Sequence, residues 1–202
     1  MALLSPTACL PLDRGPTLPL FRRLALAALL LAAALPAPAQ TPVAREYQIK
    51  AVFLFNFAQF VEWPPAAFPD ETAPLVIGVL GEDPFGPVLD EVVQGESVGG
   101  RPLQVRRFGQ PEEIGACHIL YIARSEAARL GRVVSALKDR GVLTVSDIDG
   151  AARSGVMIHF FAENKRIRLR INLEAARQAG LVLSSKLLRP AEIVGRQPEA
   201  TP

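Results

Sequence analysis

CHILYIARSEAARLGRVVSALKDRGVLTVSD, residues 117–147, settles the architecture. Cys117 to Ala123 is an apolar run of strand length, which predicts a buried strand. Ser125 stands where it can cap a helix to about Lys138, with Glu126 adding favourable charge in the first turn. Gly141 ends that helix, and Val142 to Val145 is a further apolar run leading into Ser146-Asp147. Strand, helix and strand at this spacing make a β-α-β unit. Its strands run parallel, in a sheet covered on both faces.

The same alternation extends upstream. Leu75 to Leu80 reads as a buried strand, followed by Gly81-Glu82-Asp83-Pro84, with Asp83 as an N-cap and Pro84 at the first helical position of a helix through Val93. Gly95 to Gly100 is a turn, Leu103 to Phe108 a half-exposed strand and Gln110 to Gly115 a short helix. Downstream the pattern changes. Val156 to Phe161 and Arg166 to Ile171 flank Ala162-Glu163-Asn164-Lys165, an antiparallel hairpin. Asn172 caps a helix over Leu173 to Ala179 closed by Gly180, and Ser184 opens a last short one. The fold class is therefore α/β: one three-layer domain, a mostly parallel open sheet with a C-terminal antiparallel hairpin, and helices on both faces.

Ahead of the sheet lies EYQIKAVFLFNFAQFVEWP, Glu46 to Pro64, read as one helix roughly 27 Å long. At about 100° per residue, Ile49, Phe53, Phe57, Phe60 and Val61 share one side with Leu54 nearby. Gln48, Gln59 and Glu62 lie opposite, together with Ala51 and Phe55. A helix apolar almost all round is covered on most sides. Asn56 falls in the apolar arc, where its amide needs partners. Phe55 stands among polar neighbours, as the centre of a contact surface does, so Gln48, Phe55, Gln59 and Glu62 are the candidate partner-binding strip.

The first 39 residues have the character of a secretory leader. Arg22-Arg23 precede the apolar run Leu24 to Leu35, and Pro36-Ala37-Pro38-Ala39 follows. That run is too short to span a bilayer, so no stable membrane insertion is expected after cleavage. The expected organisation is a signal peptide at 1–39, an α/β domain at 40–196 and a tail at 197–202. Removing Asp13, Arg14, Arg22 and Arg23 from 20 acidic and 22 basic residues leaves 19 of each. A balanced charge argues against a nucleic-acid partner. Cys9 departs with the leader, so Cys117 has no intramolecular disulfide partner and reads as a buried thiol.

Catalytic constellations are weak. His118 and His159 stand on different strands, and neighbours Cys117 and His118 point to opposite faces, so no metal site is expected. Gly78 to Gly86 lacks dinucleotide-loop spacing and carries Glu82 and Asp83 where a pyrophosphate would approach. Ser184-Ser185-Lys186 reads as a cap, and Ser146-Asp147 has no glycine-flanked nucleophile turn beside it. No enzyme activity and no cofactor are expected. Open parallel sheets do bind ligands at the carboxyl ends of their strands, which here present Asp83, Arg124 and Asp147.

The ordered set EYQIKAVFLFNFAQFVEWP, VIGVLGEDPFG, GRPLQVRR, CHILYIA, LTVSD, GVMIHFF with RIRLRINLEAARQAGL, and SSKLL resembles the YfiR-like family of exported bacterial proteins, from about Glu46 to Ile193. The resemblance implies a periplasmic α/β domain that acts by binding. It implies a negative regulator whose partner is the periplasmic region of an inner-membrane diguanylate cyclase or sensor kinase, with homodimerisation, and lowered cyclic di-GMP and biofilm growth as the outcome. The intramolecular disulfides that support the active form of the best-known member have no counterpart beside Cys117. The alternative reading is a periplasmic small-molecule binding module that uses the strand-end crevice.

Overall fold

The computed structural model describes residues 41–138 and 140–194. The leader at 1–39, the end of the expected domain at 196 and the tail at 197–202 lie outside the described residues. The first element is α1, Pro42–Phe60, capped by the Thr41 hydroxyl, which accepts from the Ala44 amide at 3.3 Å. It begins four residues before the expected start at Glu46. It also ends earlier than Pro64, because Val61–Glu62 (β1) leaves the helix to pair antiparallel with Val182–Leu183 (β9).

The main sheet contains β2 (Leu75–Leu80), β3 (Ser97–Val98), β4 (Arg101–Phe108), β5 (Ile119–Ile122), β6 (Leu143–Ser146), β7 (Ile158–Glu163), β8 (Arg166–Asn172) and β10 (Glu192–Val194). Their spatial order is β10-β8-β7-β6-β5-β2-β4-β3. The pairs β2·β4, β2·β5, β5·β6, β6·β7 and β8·β10 are parallel, while β7·β8 and β3·β4 are antiparallel. The mostly parallel sheet with its added hairpin is thus present. Asn164 and Lys165 both have positive φ, 50° and 59°, the backbone a tight two-residue hairpin turn requires.

Two buried clusters lie on the two faces of the sheet, because alternate strand residues point opposite ways. Ile77, Val79, Ile119, Tyr121 and Val145 pack with Leu54 and Phe57 of α1, with Leu89 of α2 (Pro87–Val93), and with Ala176 of α4 (Leu173–Gln178). Leu80, Leu120 and Ile122 pack on the other face against Leu130, Val133 and Leu137 of α3 (Leu130–Leu137). Gly78 is required on this second face, since a Cβ there would stand 2.8 Å from Cys117 Sγ and 2.8 Å from the Phe108 ring.

Several local expectations shift. The helix after β2 starts at Pro87 rather than Pro84, and Asp83 instead accepts from the Phe85 amide at 2.8 Å in the turn before it. Residues Arg124–Arg129 form a 3-10 turn ahead of α3, and Ser125 accepts from the Glu82 amide at 3.0 Å rather than capping its own helix. Asn172 and Ser184 cap α4 and α5 (Ser185–Leu188) as their types predict, accepting from Ala175 and Lys186 amides. The short helix read at Gln110 is a 3-10 turn, Pro111–Glu113, closed by a Gln110/Glu113 capping box.

Candidate functional site

The buried face of α1 is not the one its hydrophobicity alone suggests. Ala51, Leu54 and Phe57 are fully buried, and Lys50 is buried with them. Ile49, placed by the sequence on the covered arc, is half exposed, as is Val52. Ala51, read with the polar strip, is core. Asn56 is half-buried rather than enclosed. Lys50 Nζ donates to Asp147 Oδ2 at 2.5 Å and to Glu46 Oε1 at 2.5 Å. A charge leaves water only if it is paired, so these bonds let Lys50 lie on the inward stripe that Ala51, Leu54, Phe57, Ala58 and Val61 define.

Asp147 stands just beyond the carboxyl end of β6, and Arg124 just beyond that of β5. Asp147 Oδ2 receives three donors besides its proximity to the sheet: Lys50 Nζ, the Tyr47 hydroxyl at 2.9 Å and Arg124 Nε at 3.1 Å. Burial pushes the Asp147 carboxyl up, but the Lys50 hydrogen bond and charge outweigh it and hold the group below its ordinary value. Burial, followed by the adjacent carboxylate, pushes the Tyr47 phenol up to about 12. The Tyr121 hydroxyl is buried without a hydrogen bond, and burial and the Asp147 charge raise its pKa strongly. Asp147 is therefore a fixed anion at neutral pH, held by a helix, a strand end and a loop.

Of the three crevice candidates, Arg124 and Asp147 meet and Asp83 does not. Asp83 pairs with Arg107 Nε at 2.7 Å, and Arg107 also reaches Asp90 at 2.5 Å. The topology explains this. Arg107 lies on β4, beside Val79 on one flank of β2, whereas β5 and Arg124 occupy the other flank. The sequence reading missed Glu46, Tyr47 and Lys50. The one available signal was a single lysine in line with Leu54, Phe57 and Val61 on a helical wheel.

The partner-binding strip is divided. Gln59 and Glu62 are exposed, while Gln48 and Phe55 are half-buried, with Phe55 packed against the core rather than standing clear of it. The outer face of α1 is apolar instead through Ile49 and Val52, and Val182, opposite Glu62 in the β1·β9 pair, is 59% exposed.

His118 serves the fold. His118 Nδ1 accepts from the Val76 amide at 3.0 Å, which puts its proton on Nε2, facing Ala67 O at 3.2 Å. Phe68 stacks on its ring at 4.3 Å, Arg101 lies over Phe68 at 3.8 Å, and Trp63 Nε1 donates to His118 O at 3.2 Å. This clamp fixes the Trp63-Pro64-Pro65 segment over the sheet. His159 is buried with neither ring nitrogen hydrogen-bonded, and burial and the Arg170 charge lower its pKa. Among the described residues no group of three or more His, Cys, Asp or Glu is placed to hold a metal ion. No described helix is long and apolar enough to cross a membrane. Cys117 is buried, and burial pushes its thiol up to about 12.

A family model described as YfiR/HmsC-like matches residues 47–192, a span that runs from Tyr47 in α1 to the first residue of β10. No curated protein matches the chain.

Proposed function

The chain belongs to the YfiR/HmsC-like family of periplasmic regulators, and we propose that it is a non-enzymatic regulator that grips the periplasmic region of an inner-membrane signalling protein. The signalling protein is a diguanylate cyclase held inactive by the contact, so the regulator lowers cyclic di-GMP and restrains biofilm growth. The leader at 1–39 directs export, and the domain at 40–196 makes the contact. The observation that carries this reading beyond the family is the outer face of α1. Of the five exposed large apolar residues among those described, Ile49 and Val52 stand three positions apart on this outer face, whereas Val43, seven residues before Lys50, falls on the inward side of the helix. Exposed apolar residues grouped on one element, rimmed by polar Gln59 and Glu62, are what a protein contact surface requires.

Gln48, Phe55, Gln59 and Glu62 border that face, with Ile49 and Val52 as its apolar centre. A second copy of the chain would use the same surface. Deleting the gene tests the regulatory half of the proposal. Cyclic di-GMP should rise, and unchanged levels would overturn the assignment to a cyclase.

A further inference from the structure

Beside the buried Lys50–Asp147 pair lies a cavity of about 260 Å³ at the carboxyl ends of β5 and β6. α1 contributes Glu46 and Lys50, and the strand-end loops contribute Arg124, Asp147 and Asp149. The hairpin supplies an apolar wall of Ile167 and its cross-strand partner Ala162, with the buried Phe160 behind them on the same face. A few fixed polar groups facing an apolar wall are the usual composition of a small-molecule site, and this volume suits a small occupant.

The charges at the site determine what kind. Lys50 already faces two carboxylates, Glu46 and Asp147, and Arg124 Nε already rests on Asp147. No cation here lacks a counter-charge, and a ligand of either sign would bring like charges together in a partly desolvated space. What is left unused is hydrogen-bonding capacity of both kinds. Arg124 is bound only through Nε among the described residues, so its terminal nitrogens are free to donate, and its side chain is 65% exposed. Asp149 is exposed at the rim and can accept, as can the second oxygen of Glu46. Behind them Asp147 Oδ1 is buried with no partner. A hydroxyl both donates and accepts, so a ring of hydroxyls satisfies such a rim with no charge of its own.

We propose that this cavity binds a small neutral polyhydroxyl compound, a monosaccharide or cyclitol, with its hydroxyls on Arg124, Asp149 and Glu46 and its C–H face towards Ile167 and Ala162. The site joins α1 to the sheet through Lys50 and Asp147, so occupancy reaches the helix that carries the partner face. It stands independently of which membrane protein is gripped.

The test is isothermal titration of the periplasm-purified protein with D-glucose, D-galactose, D-mannose and myo-inositol. D-glucosamine, D-glucuronate and L-phenylalanine serve as charged comparisons. At least one neutral compound should bind saturably and more tightly than every charged one. Arg124→Gln and Asp149→Asn, both at exposed positions, should each weaken it by about tenfold, the loss of one charge-assisted hydrogen bond. The melting temperature of Asp149→Asn should stay close to that of the parent, while Arg124→Gln, which loses a donor to the buried Asp147, is titrated at a temperature where circular dichroism shows it fully folded. Binding by none of the neutral compounds, equal or tighter binding of a charged one, or undiminished binding by both variants would overturn the proposal.

Discussion

Replacing Lys50 by Met probes the bond that fixes α1 on the sheet. Methionine keeps most of the stem volume, so the change removes charge and hydrogen bonds without leaving a large cavity. Both partners are buried, with side-chain exposures of 2% for Lys50 and 1% for Asp147. Removing one member of a buried pair costs about 3–5 kcal/mol, chiefly because the other charge is left behind. Asp147 keeps the Tyr47 hydroxyl and Arg124 Nε as donors, which places Lys50→Met near the lower end, about 3 kcal/mol. For a domain of this size that lowers the melting temperature by roughly 6–12 °C. Asp147→Asn added to Lys50→Met should recover part of the loss, since the amide still accepts from Tyr47 and Arg124 but carries no charge.

The pH dependence has a definite sign. The Asp147 carboxyl is held below its ordinary value, so its contribution is complete above the unfolded value of about 3.9. It is lost as the pH falls from there towards the depressed folded value. The gap between wild type and Lys50→Met should therefore narrow in acid. Urea denaturation followed by circular dichroism at neutral and acidic pH measures both effects. A penalty below about 1 kcal/mol at neutral pH, or a double variant weaker than Lys50→Met, would refute the ion-pair account.

His118→Phe should cost about 1–3 kcal/mol by orphaning the buried Val76 amide. Burial lowers the His118 pKa, so its contribution is full above the unfolded value of about 6.5 and declines as the pH falls from there. The variant should accordingly show a flatter stability profile below neutrality, read from urea midpoints across that range. Cys117 should resist alkylation in the native protein and react once unfolded, because its thiol is buried and its pKa is pushed up to about 12. Mass spectrometry of the peptide containing Cys117 reads the difference, and rapid native labelling would contradict it.

How far the molecule was legible from its residues depended on the range of the forces involved. The apolar runs at Leu75–Leu80 and Cys117–Ala123, the turn residues Asn164-Lys165 and the caps Asn172 and Ser184 act within a few positions, and the sheet and hairpin follow from them. The C-terminal end of α1 depends on Val182–Leu183, far along the chain, so Val61–Glu62 could not be recognised locally as a strand. The orientation of α1 was misread for a related reason. Hydropathy puts Lys50 outside, and only its distant partner Asp147 compensates the burial of its charge beside Leu54 and Phe57. Arg124 and Asp147 were found because strand ends in parallel sheets converge. Asp83 pairs instead with Arg107 of β4, and strand order across the sheet, with β4 and β5 flanking β2, is not written in any one segment.

The central claim is that the outer face of α1 holds a membrane signalling protein, and affinity purification from detergent-solubilised membranes tests it most directly. The tagged protein and its Ile49→Asp/Val52→Asp variant would be compared, with identification of what co-purifies. Both substituted positions are about half exposed, so the variant should retain the parental melting temperature. The account predicts that the parent brings down an inner-membrane diguanylate cyclase and the variant does not. Equal recovery by both, or no membrane signalling protein with either, would contradict it.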